Sequence, residues 1–182
     1  RFMGDVGYFV TFKQVDPLFS VDLSDPSDPE IIGELKIPGF SEYLHPYGGG
    51  QLLGIGMDVD EESVTTDGVK ISMFDISDPA DVKEEETYVL EDLYGTDVGY
   101  NYKAVFVDVE KNLFGFMAYG DTTKYFIFTY DENGFREVFS RELTLYGNVR
   151  GLYAGERFYL VNGNTVESFT MDEFQKVDDI VL

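Results

Sequence analysis

A repeated sequence motif is the feature that most constrains the fold of this chain. Residues 18–26 read "LFSVDLSDP", and residues 71–79 read "ISMFDISDP". Two weaker copies, "FIFTYDENG" and "ESFTMDEFQ", follow further along the chain. Aligned on their shared aspartates, the copies are 53, 56 and 41 residues apart, at Asp22, Asp75, Asp131 and Asp172. Repeats with a period of ~40–50 residues indicate a fold that stacks one structural unit several times.

Each repeat has the pattern of four β-strands. An apolar strand follows a Gly-, Asn- or Asp-containing turn in every copy, as "YFVTF", "QLLGIGM", "LFGFMAY" and "RFYLVN". Aromatic and branched residues of this kind favour buried strands. After the aspartate comes a more polar strand, as "EIIGELKI", "VKEEETYVL", "REVFSRELTL" and "KVDDIVL", which is typical of a sheet edge. We therefore predict an all-β fold, a β-propeller of four consecutive four-stranded antiparallel blades.

The approximate blade boundaries are 1–40, 41–97, 98–146 and 147–182, within a single domain. The Ser-Asp-Pro motif is interpreted as a turn and not as a binding or catalytic site. An aspartate there can accept a hydrogen bond from the backbone N–H two residues on, and the proline fixes φ for the turn. Because only a turn is required, the third and fourth repeats can keep the aspartate without the proline.

The amino-acid sequence of the first repeats also resembles a known family. The segment "GYFVTFKQVDPLFSVDLSDPSDPEIIGELKIPGFSEYLHPYGGGQLLGIGMD" is similar to secreted β-propeller domains of bacteria and archaea, related to LVIVD-type repeats. The similarity is strongest over residues 1 to about 80. It implies a propeller larger than this chain, secreted or displayed on a prokaryotic cell surface, without catalytic residues to carry over. Because a strand pattern is present from Arg1, we expect the chain to be a piece of a longer polypeptide.

The charge of the chain excludes several kinds of partner. With 35 Asp and Glu against 13 Lys and Arg, the formal net charge is −22. Such a chain repels phosphate backbones and anionic lipid, so we expect no nucleic-acid partner and no binding to a membrane surface. No apolar run approaches the length of a membrane span, and the absence of cysteine excludes disulfides and thiolate chemistry.

The candidate ligand site is the propeller face where the loops surround the central channel. Four charged residues stand near the starts of innermost strands and could converge on the channel mouth: Arg1, Glu42, Lys103 and Arg150. Three tyrosines in a neighbouring long loop, residues 91–102, could stack on a sugar or a peptide: Tyr94, Tyr100 and Tyr102. The alternatives remain open that the charges satisfy one another and that the tyrosines pack between blades.

A second long loop, residues 57–68, is strongly acidic. Hard cations prefer several carboxylate oxygens on a short segment, so calcium is the candidate cofactor, with the ligands Asp58, Asp60, Glu62 and Asp67. The order of an EF-hand is not followed, because Ser63 stands where the turn glycine belongs. A solvated acidic loop that binds no metal is the alternative.

These observations favour a non-catalytic extracellular scaffold or binding module for a protein or carbohydrate ligand. The alternative is a propeller enzyme, a glycoside hydrolase or lyase that uses carboxylates on the same face. A pair of carboxyl groups about 5–9 Å apart in a cleft would favour the enzyme. His45, the single histidine, is interpreted as structural because it lies in a strand directly before Pro46.

An arc of blades cut from a larger ring leaves apolar flanks, which predicts a homodimer through the terminal blades. The side chains expected on these flanks are Phe2, Tyr8, Val10 and Phe12 at one end, and Phe158, Leu160, Phe169 and Val181 at the other.

Overall fold

The computed structural model describes residues 1–11, 17–59, 65–144 and 148–182. The chain divides into two compact units, residues 1–95 and 96–182. The described residues form seventeen β-strands, and their helical content is a single 3₁₀ turn at Tyr102–Ala104. The predicted all-β class with four successive antiparallel sheets is therefore confirmed.

The first unit contains two four-stranded sheets whose strands follow chain order. The first sheet consists of β1 (Phe2–Met3), β2 (Val6–Val10), β3 (Leu18–Asp22) and β4 (Glu30–Leu35). The second consists of β5 (Phe40–Gly48), β6 (Gln51–Val59), β7 (Thr66–Asp75) and β8 (Lys83–Leu90). Tyr8, Leu18, Leu44, Leu52 and Phe74 pack into one buried core, so the two sheets of this unit share a face.

The second unit repeats this plan. One sheet follows the path β10 (Phe106–Asp108), β11 (Leu113–Gly120), β12 (Thr123–Asp131) and β13 (Gly134–Glu142). The short strand β9 (Leu93–Thr96), whose last residue is the first of this unit, pairs with β11. The last sheet consists of β14 (Val149–Ala154), β15 (Arg157–Asn162), β16 (Thr165–Thr170) and β17 (Lys176–Val181). The core of this unit is aromatic, and fully buried Phe158 lies in it among five other rings.

The repeated aspartates act as predicted in three of the four copies. The side chains of Asp22, Asp75 and Asp131 accept hydrogen bonds of 2.8–2.9 Å from the backbone N–H two residues on. A second aspartate of the motif does the same, because the Asp25 carboxylate accepts a hydrogen bond from the backbone N–H of Ser27. Asp172 differs, since its carboxylate accepts from the adjacent N–H of Glu173. The motif therefore forms the turn that follows the third strand of each sheet, in agreement with its interpretation as a turn.

These turns make a prediction for acid stability. Hydrogen bonds from Ser24 and Ser77 lower the pKa of the Asp22 and Asp75 carboxyls, and those from Asn133 lower the pKa of Asp131. The unfolded chain, with an ordinary aspartate pKa of about 3.9, then binds more protons than the folded chain. The stability from these turns is complete above about pH 4 and is lost as pH falls through the lower folded values.

The measurement is denaturant unfolding at pH steps from neutral to strongly acidic, on the wild type and on a triple variant, Asp22→Asn, Asp75→Asn and Asp131→Asn. Asparagine keeps the turn acceptor but removes the titration, so we expect a shallower loss of unfolding free energy in acid. The control is the range above pH 5, where these three aspartates do not titrate. There the unfolding free energies of wild type and variant should change with pH in parallel. An equally steep acid loss in the variant would show that other groups control it.

Two expectations about the surface are wrong. Tyr8, Phe158, Leu160 and Phe169 are not on free flanks, because they face the neighbouring sheet of their own unit and are at most 3% exposed. Two of the predicted flank residues, Phe2 and Val181, are exposed, whereas Val10 is half-buried and Phe12 lies outside the described residues. The other exposed apolar side chains described in the two terminal sheets are Phe9 and Ile31 in the first, and Leu152, Tyr153, Val177 and Ile180 in the last. The homodimer through the terminal blades stays a prediction, now with these residues as its candidate contacts. The segment 91–102 is also not all loop, since it contains β9.

Candidate functional site

A cleft of about 650 Å³ lies between the innermost strands of the two sheets of the first unit. Arg1, β1 and β2 supply one wall, and residues 42–46 in the middle of β5 supply the other. The lining residues are Arg1, Phe2, Tyr8, Phe9, Val10, Glu42, Tyr43, Leu44, His45 and Pro46. Apolar and aromatic walls with a few polar groups are typical of small-ligand sites, whose volumes run from about 300 to 1,000 Å³.

A β-bulge determines which side chains of β5 reach this cleft. Ser41 pairs with Gly56 and Tyr43 pairs with Ile55, so Glu42 is an extra residue between two successive register pairs. A Cβ atom on Gly56 would lie 1.9 Å from the carbonyl oxygen of Phe40, so β5 approaches β6 at a distance that only glycine allows. Bulges of this kind redirect side chains. Here Leu44 faces the core while Tyr43 and His45 line the cleft.

Arg1 is fixed against the β5 wall by two contacts. Its guanidinium carbon lies 4.8 Å from the centroid of the Tyr43 ring, and its Nε donates a hydrogen bond to the carbonyl oxygen of Leu44. A guanidinium above an aromatic face is attracted by the ring quadrupole. The remaining guanidinium N–H groups can donate to a ligand.

Tyr43 and His45 form a neutral hydrogen-bonded pair. The hydroxyl oxygen of Tyr43 lies 2.8 Å from Nδ1 of His45. Burial lowers the pKa of His45, and the charge of Arg1 lowers it further. Burial also raises the pKa of Tyr43, so its hydroxyl keeps its proton at neutral pH. When that hydroxyl donates to Nδ1, the imidazole proton is on Nε2, which gives the cleft a neutral hydrogen-bond donor.

Glu42 is the acidic group of the cleft. Its side chain is half-buried, and burial raises the pKa of its carboxyl. In the described part of the chain, no Lys or Arg forms an ion pair with it. A carboxyl without an ion-pair partner can accept hydrogen bonds from ligand hydroxyls, and one with a raised pKa can also donate when protonated.

The structure brings together only part of the predicted site. Arg1 and Glu42 line one cleft, and their role in binding a ligand stays a prediction. The other predicted side chains are not among its lining residues: Tyr94, Tyr100, Tyr102, Lys103 and Arg150. Tyr94 is an exposed residue of β9, and Arg150 is half-buried on β14. Tyr100, Tyr102 and Lys103 lie in or beside the 3₁₀ turn, where the Lys103 amine is 5.6 Å from the Tyr102 ring centroid. A ligand role for these five residues stays a prediction.

Two of the four predicted calcium ligands lie in β-strands and not in a loop. Asp58 and Asp67 belong to β6 and β7, with Asp58 paired to Gly68. Asp60 and Glu62 lie outside the described residues. Among the side chains that the structure describes, which do not include that of Asp67, no three His, Asp or Glu are grouped as a metal site. Calcium binding at residues 57–68 stays a prediction.

Sequence reasoning missed the aromatic half of the cleft. Phe2 and Phe9 stand edge to face with ring centroids 5.8 Å apart, and they are 69% and 40% exposed. His45, which is interpreted from the sequence as structural, also lines the cleft beside Tyr43. The available signal was the alternation of Tyr43 and His45 on one strand, but the bulge that sets their direction has no clear signature in sequence.

Comparison with known proteins gives the family. The profile of the family described as "Beta propeller domain" matches residues 1–174. The chain belongs to this family. The propeller domain is 38% identical over its whole length to an uncharacterized protein of Archaeoglobus fulgidus, and 40% identical over 73% of its length to one of Methanocaldococcus jannaschii. It spans 27% and 20% of these relatives, respectively.

A solved structure supports the fold of the propeller domain. Sqt1 of Saccharomyces cerevisiae matches 97% of the chain with a TM-score of 0.59 and 13% sequence identity, over 44% of its own length. At this identity the similarity concerns the fold alone. The described residues include no helix with the length and apolarity that a membrane crossing requires.

Proposed function

We propose that the propeller domain is a non-catalytic extracellular module that binds a carbohydrate in the cleft between β1, β2 and β5. The observation that carries this proposal is the combination of exposed aromatic rings with a small set of polar groups in one cleft of about 650 Å³. The extracellular location rests on the resemblance to secreted propeller domains, and protection of the full-length protein from protease on intact host cells would contradict it.

The aromatic walls favour a sugar ligand. Phe2 and Phe9 expose ring surface to the cleft. Aromatic faces bind the apolar C–H faces of sugars, and exposing such rings without a partner leaves apolar area in water. The cleft volume suits a short oligosaccharide, whereas a typical protein interface covers about 800 Å² on each partner.

The polar groups of the cleft match the hydroxyls of a sugar. Arg1 and the neutral His45 imidazole supply N–H donors, and the Glu42 carboxyl supplies acceptor oxygens. A hydroxyl group both donates and accepts, so it can bridge a donor and an acceptor on neighbouring side chains. Because Arg1 and Glu42 carry opposite charges, the cleft has no strong preference for an anionic or a cationic ligand.

A glycosidase is the alternative, and the carboxylates favour binding over it. Among the ten described residues that line the cleft, Glu42 is the one with a carboxyl group, whereas glycoside hydrolysis uses two. A smaller cleft of about 250 Å³ in the second unit does contain two, Glu156 and Asp172. Both are exposed, and hydrogen bonds lower the pKa of Asp172, which is opposite to the shift a general acid needs.

The test is a screen of the 182-residue chain against an array of short neutral and acidic oligosaccharides, followed by calorimetry on the best one. We expect Phe2→Ala and Glu42→Ala each to weaken that binding about tenfold, since each removes a contact worth about 1.4 kcal/mol. Tyr102→Ala is the matched control, because Tyr102 is an exposed aromatic residue that does not line the cleft.

Two results would contradict the proposal. Loss of binding in Tyr102→Ala with full binding in Phe2→Ala would place the sugar on the tyrosine loop instead of the cleft. Binding of peptides but of no oligosaccharide, with the same dependence on Phe2 and Glu42, would make the ligand a protein.

A further inference from the structure

The outer face of the last sheet is an apolar surface that the rest of the chain leaves partly exposed. Phe158 and Leu160 of β15 point into the core of the second unit, so Tyr159 and Val161, which alternate with them, point to the opposite face. Each of the four strands supplies an apolar side chain to that face, and all of these side chains are half-buried or exposed: Leu152, Tyr159, Val161, Val166 and Ile180. These five residues are called the outer patch.

The strand register shows that the outer patch is continuous. Three register pairs join its members across neighbouring strands: Leu152 with Tyr159, Val161 with Val166, and Val166 with Ile180. Residues that pair in this way point to the same face, with Cβ atoms about 4.5–5.5 Å apart. Tyr159 and Val161 are two residues apart on β15, which connects the first pair to the other two. The patch therefore crosses the whole sheet, from β14 to β17.

Opposite charges flank the outer patch at the two edges of the sheet. Arg150 lies on β14 in register with Val161, so it points to the outer face. Asp178 lies on β17 in register with Ser168, which in turn pairs with Tyr159, so it points to the same face. Within the described parts of the chain, neither Arg150 nor Asp178 forms an ion pair. The outer face thus has a positive group on one edge strand and a negative group on the other.

We propose that the outer patch is a dimer interface, in which two copies of this chain pack the same face of the last sheet together about a two-fold axis. Such an interface must be complementary to itself. An axis along the strands places β14 of one copy over β17 of its partner, so Arg150 lies near the partner's Ile180 and its long side chain reaches the partner's Asp178. An axis across the strands would place β14 over β14 and bring the two arginines together, so the charges favour the first arrangement. The homodimer predicted from the sequence is thereby assigned to one face of one sheet.

The size of the outer face indicates a weak dimer. Each of its four strands has six residues. With about 3.3 Å per residue and about 4.8 Å between strands, the face measures roughly 20 Å in each direction, or about 400 Å². Stable interfaces cover about 800 Å² on each partner. The net charge of −22 on each copy adds a repulsion that salt screens, so the dimer should form at high protein concentration and more readily at high salt. This surface is separate from the carbohydrate cleft and does not depend on it.

The test is analytical ultracentrifugation of the 182-residue chain from about 10 μM to about 1 mM, at low and at high NaCl concentration. We expect a reversible equilibrium between monomer and dimer, with more dimer at high salt. Ile180→Asp should raise the Kd at least about tenfold, because it places a charge in the apolar contact. Ile31→Asp is the matched control, since it makes the same change at an exposed isoleucine of the first sheet and should leave the Kd unchanged.

Two charge reversals test the arrangement of the copies without changing the apolar residues. Arg150→Asp alone and Asp178→Arg alone each place like charges opposite one another, so each should raise the Kd about fivefold or more. An equimolar mixture of the two variants restores both opposite pairs and has the same total charge as the wild-type dimer. Its Kd should therefore return to within about threefold of the wild-type value. A strict monomer at the highest concentration, growth beyond the dimer, equal losses in Ile31→Asp and Ile180→Asp, or a mixture no stronger than its two components would each overturn the proposal.

Discussion

Replacing Phe158 with alanine is expected to lower the unfolding free energy of the second unit by about 3–5 kcal/mol, the range for removing a fully buried phenylalanine ring. Phe158 is fully buried, and five aromatic rings have centroids 5.6–6.2 Å from its own. Those rings come from both sheets of the unit, so the resulting cavity would loosen the contact between the sheets as well as β15 itself.

The measurement is urea unfolding followed by far-ultraviolet circular dichroism, since the chain contains no tryptophan. Leu152→Ala is the matched control, because it truncates an apolar residue of the same sheet that is 47% exposed. We expect the control to lose less than about 1 kcal/mol. A loss below about 1 kcal/mol in Phe158→Ala would mean that the sheets do not share the aromatic core described above.

The sheets could be predicted from sequence because the signals that define them are local. The aspartate turns after Asp22, Asp75 and Asp131 form within a few residues, and their hydrogen bonds depend little on the rest of the fold. The strand β9 was missed for the opposite reason. Its four residues, "LYGT", have no clear alternation, and Thr96 is held by a hydrogen bond to Met117, far along the chain.

The direction in which each strand faces could not be predicted. Strand periodicity separates two faces but does not say which one meets the neighbouring sheet. In β2 both faces are aromatic, because Tyr8 is buried in the core while Phe9 is 40% exposed beside the cleft. The sequence therefore could not decide which of these two rings lies on the free side, and the prediction of Tyr8 as a flank residue was wrong for this reason.

The charged half of the cleft could be predicted, but its geometry could not. Arg1 and Glu42 follow from their positions at the starts of inner strands. That Tyr43 and His45 join them depends on the bulge at Glu42, which involves the pairing of Ser41 with Gly56 across two strands. A glycine in an apolar strand, as in "LLGIGM", is consistent with a close backbone approach but does not identify the partner.

Replacing Gly56 with alanine is accordingly expected to destabilise the first unit by at least about 3 kcal/mol, the upper part of the range for overpacking. The added Cβ would lie 1.9 Å from the Phe40 carbonyl oxygen and 2.8 Å from the Ser41 Cα. Both obstacles are backbone atoms, so no rotamer change can relieve the contact. The strand β5 must move away from β6, which also displaces Glu42 at the bulge.

Gly49→Ala separates this steric effect from the general cost of replacing a glycine. Gly49 lies in the turn between β5 and β6 with φ +55°, and a Cβ there would meet no atom within 4 Å. Its replacement should therefore cost only the left-handed backbone conformation, about 1–2 kcal/mol. Urea unfolding of both variants gives the comparison. Equal losses would show that β5 and β6 have room for a side chain at Gly56, and the bulge would then need another origin.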